Sequence, residues 1–254
     1  ASSPVVCDKQ GRILLVGLNR PEKRNCLNAA TTRHLLETLR EFDCDDSVDV
    51  AVLYGKGGSF CAGHDLVELA EDRASDWPVC IPETKKPTVA AVTGYAVGAG
   101  MELALWCDLR VVDETAVMGL FGRRFGVPLM AGGSARLPTL IGLSRALDLI
   151  LTGRPVSAKE AHEIGLANRV VSCGTALGQA ISLAGNIAKF PQQCLQADRW
   201  ATRRACFGGD PEREEQQAIL HAEAVQGAKR FLSGIGRHGS FNLLHPPKES
   251  TAKS

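Results

Sequence analysis

No run of apolar residues in this chain approaches the roughly 18 that a membrane-spanning helix needs, and the opening Ala1-Ser2-Ser3-Pro4 has neither signal-peptide nor transit-peptide character. No charge of either sign dominates: 29 Lys and Arg stand against 28 Asp and Glu, a formal net charge of +1, without a basic or acidic block. Neither nucleic acid nor membrane is an expected partner, and any phosphate binding has to be local. The nine cysteines (Cys7, Cys26, Cys44, Cys61, Cys80, Cys107, Cys173, Cys194, Cys206) contain no Cys-x-x-Cys pair, and the six histidines show no i, i+4 pairing. Disulfides, structural zinc and other metal sites therefore lack support. Nor is there a nucleotide loop: Gly98-Ala99-Gly100 lacks the Gly-x-Gly-x-x-Gly spacing, and no segment ends in Gly-Lys-Ser or Gly-Lys-Thr. The final Thr251-Ala252-Lys253-Ser254 is not a Ser-Lys-Leu address. The expectation is a soluble intracellular protein with reduced thiols, cytoplasm and mitochondrial matrix being equally compatible.

What is present suffices for a substantial core: 254 residues, 44% hydrophobic and 22% charged. Ile13-Leu14-Leu15-Val16-Gly17-Leu18 reads as a strand that ends at Asn19-Arg20-Pro21. Asn28 is placed to cap a helix carrying Leu35, Leu36, Leu39 and Phe42, and Val48, Val50 and Val52 alternate as in a half-buried strand. Residues 88–92 read as a buried strand, 98–107 as a helix and 109–113 as the next strand. Residues 136–151 are helical with a break at Gly142, Ser157 to Glu160 fits a capping box, Gly165 stops the short helix and residues 168–171 return to a strand. This alternation predicts an α/β fold with largely parallel pairing. From about Ala176 the pattern is helical without strands, a further amphipathic stretch spans residues 214–231, and a polar tail starts near Pro246.

Two turns carry the chemical interest. Ser59-Phe60-Cys61-Ala62-Gly63-His64-Asp65-Leu66 and Thr93-Gly94-Tyr95-Ala96-Val97-Gly98-Ala99-Gly100 each lead a strand into a helix through small residues. Amides at a helix start carry the positive dipole end, and two such turns brought together form an oxyanion hole; taken alone, each is also an ordinary tight connection of an α/β fold. Glu102 is the only charge between Thr93 and Cys107, among Met101, Leu103, Ala104, Leu105 and Trp106. A buried, unpaired carboxylate there is costly and responds with a raised pKa; the plainer alternative is that it caps a helix start or pairs with an arginine.

These residues, with Asn19-Arg20-Pro21-Glu22-Lys23-Arg24-Asn25, Cys107-Asp108-Leu109-Arg110, Gly126-Val127-Pro128, Gly132-Gly133-Ser134-Ala135-Arg136-Leu137 and the stretch from Leu151 to Ala161, resemble the enoyl-CoA hydratase/isomerase (crotonase) superfamily over most of residues 5–241. The resemblance implies a crotonase-like spiral of ββα units in residues 1–195, a helical oligomerisation segment in residues 196–254, and assembly as a homotrimer or a pair of trimers. It implies an acyl-CoA thioester as substrate, coenzyme A being part of that substrate and no separate cofactor being needed. It matches Ala62 and Ala99 to the two oxyanion amides and Glu102 to the first of two proton-handling glutamates. Gly63, His64, Asp65 and Leu66 fall against the nucleotide end of the substrate and Gly98 beside the substrate, with Lys23 or Arg24 near the nucleotide phosphates; that basic pair is otherwise a solvated turn. The position of the second glutamate falls on Gly122, beside Arg123 and Arg124, which are placed to pair with Glu102, Asp108 or a substrate group. Asp65 reads as the cap of the next helix. His64 either approaches the pantetheine arm and titrates near neutral pH or is a partly exposed turn residue. Two functions follow: an enzyme of hydratase or isomerase type using Glu102, or a CoA-thioester-binding protein with little turnover.

Overall fold

The computed structural model describes residues 3–70 and 81–207. Val5–Gln10 (β1) and Ile13–Leu18 (β2) form an antiparallel hairpin, turned at Gly11 with φ +59, which glycine adopts without steric cost. Asn28 caps Ala29–Cys44 (α1) as its sequence predicts, its side-chain oxygen accepting from the Thr31 amide at 2.8 Å. The helix buries Leu35, Leu36, Leu39 and Phe42, and Val50–Gly55 (β3) returns parallel to β2. Leu66–Ala70 (α2) leads on to Thr88–Val92 (β4), and Tyr95–Val97 (β5) to Ala99–Trp106 (α3), Leu109–Asp113 (β6) and Val117–Gly119 (β7). Gly133–Ile141 (α4), Leu143–Thr152 (α5), Val156–Ser157 (β8), Ala158–Glu163 (α6), Arg169–Val171 (β9), Ala176–Ile187 (α7) and Gln192–Phe207 (α8) complete the described order.

Six strands form one sheet in the order β1-β2-β3-β4-β6-β9, parallel throughout except for the β1–β2 hairpin. A smaller sheet, β5-β7-β8, carries the site. Its parallel β5–β7 register sets Val97 opposite Gly119, and the Gly98 amide donates to the Gly119 carbonyl at 2.8 Å. The start of α3 is thereby brought beside residues 120–122.

The α/β expectation holds, and the departures from it have local causes. β3 is a central strand rather than a half-buried one, with Val50 to Leu53 all buried, because β2 and β4 flank it and both of its faces are covered. β1 escapes a reading by pattern since residues 7–10 are exposed on a sheet edge, and β5, β7 and β8 are two or three residues long. The helix expected over 136–151 starts earlier, at Gly133, and divides at Gly142 with φ +82. Ser157 does cap α6, accepting from the Glu160 amide. The chain divides into two compact units, Ala1–Gly185 and Asn186–Ser254. The helix expected over 214–231 and the tail from Pro246 lie outside the described residues.

Helix α3 is fixed at both ends. Buried Arg110 donates from Nη1 to the carbonyls of Ala104 and Cys107 at its C-terminus, at 3.2 and 2.8 Å, complementing the negative dipole end. At its start, a Cβ added to Gly100 stands 2.1 Å from the Cys61 carbonyl oxygen. Gly100→Ala is therefore expected to destabilise the protein by about 1–3 kcal/mol or more through overpacking. Gly178→Ala, with nothing within 4 Å of the new methyl, is expected to stabilise α7 by up to about 1 kcal/mol. Denaturant midpoints of the two variants check the contrast.

Candidate active site

The two small-residue turns meet. Cys61 pairs with β5, donating to the Tyr95 carbonyl at 2.8 Å and accepting from the Val97 amide at 3.0 Å. On the other side, the Leu27 amide donates to the Gly63 carbonyl at 2.7 Å and the Asp65 amide to the Leu27 carbonyl at 2.9 Å. Gly63 sits at φ +94, and a Cβ there stands 3.0 Å from the Val97 oxygen and 3.5 Å from the Ala99 nitrogen. Only a glycine permits this backbone and this approach. Ala99 opens α3, where amides have no intrahelical acceptor.

The expectation for Ala62 needs correction. Its amide donates to the Arg24 carbonyl at 3.0 Å and is engaged within the fold. Because the bonds from Gly63 and Asp65 both go to Leu27, the intervening His64 amide points away from Leu27, and it is on Gly63 that the start of α3 packs.

Glu102 lies one helical turn after Ala99 and is 1% exposed. It is neither bare nor a cap of its own helix. Its Oε1 accepts from the amides of Ala131 and Gly133, each at 3.0 Å, at the approach to α4. Burial raises its pKa above the ordinary glutamate value, while the amides of Gly133, Ala131 and Met130 and the charge of Arg136 pull the other way.

A cleft gathers Ala62, Gly63, His64, Leu66, Gly98, Ala99, Glu102 and Gly122, together with Phe121, Phe125, Val127, Pro128 and Leu129. Lys23, Arg24, Asp65 and Arg123 are not part of its lining. Arg24 stands over the Tyr95 ring, 5.4 Å from its centroid. Asp65 caps α2 through the Val67 amide at 3.2 Å and pairs with Arg20 at 3.0 Å. Arg123 and Arg124 pair with neither Glu102 nor Asp108: they donate to the Ile150 and Gly153 carbonyls at 3.1 and 3.0 Å, at the negative end of α5. Asp108 instead accepts from the Thr88 amide at 2.8 Å. Burial pushes the Cys61 thiol up to about 12, leaving it an inert packing group.

Pattern and motif assign no role to the apolar wall at 121–129, to Ala131 and Gly133, or to Asn25. Asn25, buried at φ +57, accepts from the Arg20 amide at 2.8 Å and donates to the Lys56 and Ser59 carbonyls at 2.8 and 2.7 Å, tying down the turn behind Ala62. A Gly-Gly pair directly before a helix was the available signal for Gly133. Among the described residues, no group of three or more His, Cys, Asp or Glu could hold a metal ion, and no helix is long and apolar enough to cross a membrane.

Burial pushes the His64 pKa down from 6.5 to about 4, so the side chain is neutral at physiological pH rather than titrating there. Its folded pKa lies below its unfolded one, so the unfolded chain takes up the proton first as pH falls. Stability is then fully present above about pH 6.5 and is lost toward pH 4, by up to about 3 kcal/mol. His64→Gln is expected to flatten that part of the profile, measured as denaturant midpoint against pH.

The family model for enoyl-CoA hydratase/isomerase matches residues 8–230. A probable enoyl-CoA hydratase of Rhizobium meliloti (strain 1021) is 38% identical over 210 residues, 79% of this chain and 81% of that protein. The 2,3-dehydroadipyl-CoA hydratase of Escherichia coli (strain K12) is 37% identical over 214 residues, 80% of this chain and 83% of that protein. The crystal structure of enoyl-CoA hydratase from Mycobacterium tuberculosis H37Rv superimposes with a TM-score of 0.83 at 34% identity, covering 92% of this chain and 97% of that one. With its paired sheets, its two apposed turns and a sequence match across most of its length, this chain belongs to the enoyl-CoA hydratase/isomerase family and has the crotonase fold.

Proposed function

We propose that the chain acts on an enoyl-CoA thioester, polarising its carbonyl between two backbone amides and moving a proton with Glu102. The observation that carries this reading is that Glu102 is the one carboxylate among the described residues of the cleft, buried, held by Oε1 and a single helical turn from the Ala99 amide. Removing a proton beside a thioester carbonyl places negative charge on its oxygen, and amides at a helix start stabilise that charge. Ala99 supplies one donor and the facing turn supplies the other, from His64 in place of Ala62. Lys23 and Arg24, on the turn that anchors Ala62, offer positive charge for the nucleotide phosphates. Assembly as a trimer or a pair of trimers belongs to the same reading; exposed Leu143, Leu147 and Leu151, at i, i+4 and i+8 on one face of α5, support it.

With Oε1 engaged, Oε2 is the oxygen that exchanges the proton. In a 3-enoyl thioester it takes the proton from C2, and the electron pair passes into the carbonyl; return of the proton at C4 leaves the double bond between C2 and C3. One carboxylate completes this shift. The relatives at 37–38% identity are named as hydratases, and syn hydration needs both activation of water and delivery of a proton to the α carbon. Gly122 brings no carboxylate to the cleft wall, which is also what favours the second reading, a CoA-thioester-binding protein with little turnover.

Steady-state assays of 3-enoyl-CoA isomerisation and crotonyl-CoA hydration, alongside calorimetric binding, separate these readings. Glu102→Gln is expected to lower turnover by about 10²–10⁴ with affinity within a few-fold; unchanged turnover removes Glu102 from its role, and tight binding without turnover in the native protein establishes the second reading. Gly122→Glu addresses the other position. A Cβ there stands 2.9 Å from the Val127 carbonyl oxygen, so the expected outcome is a lower melting temperature and no gain in hydration. A gain with the fold intact would mean that the Val127 turn yields and hydration had lacked only this group.

A further inference from the structure

Glu102 is held by peptide groups, and those groups are held in turn. Ala131 donates its amide to Glu102 Oε1 at 3.0 Å, and its carbonyl accepts from Arg136 Nη1 at 2.6 Å. Between Ala131 and Gly133, Gly132 takes φ +86, and a Cβ on it stands 2.3 Å from the same Nη1. The guanidinium therefore packs directly on the Gly132 backbone. Gly133 faces the other way: its amide donates to Oε1 at 3.0 Å, and a Cβ on it stands 2.8 Å from Glu102 Cγ. Residues 131–133 form a thin backbone layer between Arg136 and Glu102, with no side chain in the gap at 132 or 133.

We propose that Arg136 is a positioning residue for Glu102, fixing the 131–133 turn whose amides orient the carboxylate. Its planar fork, rather than a point charge alone, suits this packing against a peptide surface. Arg136 is also the charge that acts on Glu102. The other titratable groups on facing elements contribute little: His64 across the cleft is neutral, and Tyr95 of β5, which packs on α3, lies under Arg24. Loosening the turn and removing the cation act in the same direction, raising the proton affinity of Glu102.

The placement of the carboxylate can be tested without any substrate; only the kinetic arm rests on the enolate reading above. Glu102 is followed by carboxyl infrared or ¹³C-glutamate spectra as a function of pH, as the difference between each protein and its Glu102→Gln counterpart. Arg136→Met is expected to move the Glu102 midpoint upward by about one pH unit, and to lower kcat by about tenfold or more with KM within about threefold. Arg136→Lys, which keeps the charge and loses the fork, is expected to retain most of the midpoint and part of kcat. Should Arg136→Met not fold, Gly132→Ala displaces the guanidinium and is expected to raise the midpoint in the same way. A midpoint unmoved in Arg136→Met, or in Gly132→Ala when the former does not fold, overturns the proposal whatever happens to kcat. A raised midpoint in proteins without enoyl-CoA turnover upholds the positioning role and counts against the proposed reaction instead.

Discussion

The contact on which the rest of the site depends is the one between the Cα of Gly100 and the carbonyl oxygen of Cys61, too close for any side chain at position 100. It is a backbone-to-backbone approach between the turn that follows β3 and the start of α3. Cys61 can be held there because β5 pairs with it on both its amide and its carbonyl. With that distance set, the Ala99 amide lies against Gly63 and Glu102 follows one turn later into the same cleft. The register of β5 on β7 then adds Gly122 and the aromatic wall. Packing at a single point thus places four segments that are scattered in the chain.

Within this frame Glu102 is balanced rather than simply buried. Burial alone drives a carboxyl toward the neutral form, at a penalty that grows with each lost water contact. Two amides on one oxygen and a cation behind them offset part of that penalty. A group held between these influences can both accept and release a proton, the property that general acid–base work asks of it.

Much of the frame is legible in the sequence because it rests on strong local signals. The apolar strand 13–18 and the buried run 88–92 follow from apolar stretches, and the cap at Asn28 and the break at Gly142 from one residue's hydrogen-bonding or conformational preference. Glu102 stands out as the lone charge in an apolar helix. What pattern does not show is where backbone amides point. Ala62 and His64 are two residues apart in one turn, and only the long-range bonds to Arg24 and Leu27 assign their directions. The same holds for Glu102, whose donors come from residues 131 and 133, 29 and 31 positions away. Arg123 and Arg124 look like ligands for a carboxylate until α5 is seen to present its carbonyl end to them.

That last arrangement has an electrical meaning for the cleft. With the two arginines turned onto α5 and His64 neutral, Glu102 is the one carboxyl of the described lining. In the proposed reaction the carboxylate becomes neutral in the same event that makes the thioester oxygen negative. The charge relocates from one wall to the other while the total inside the cleft stays constant. A poorly solvated space then never has to hold two anions at once, and the helix-start amides act on charge that has moved rather than charge that has been added.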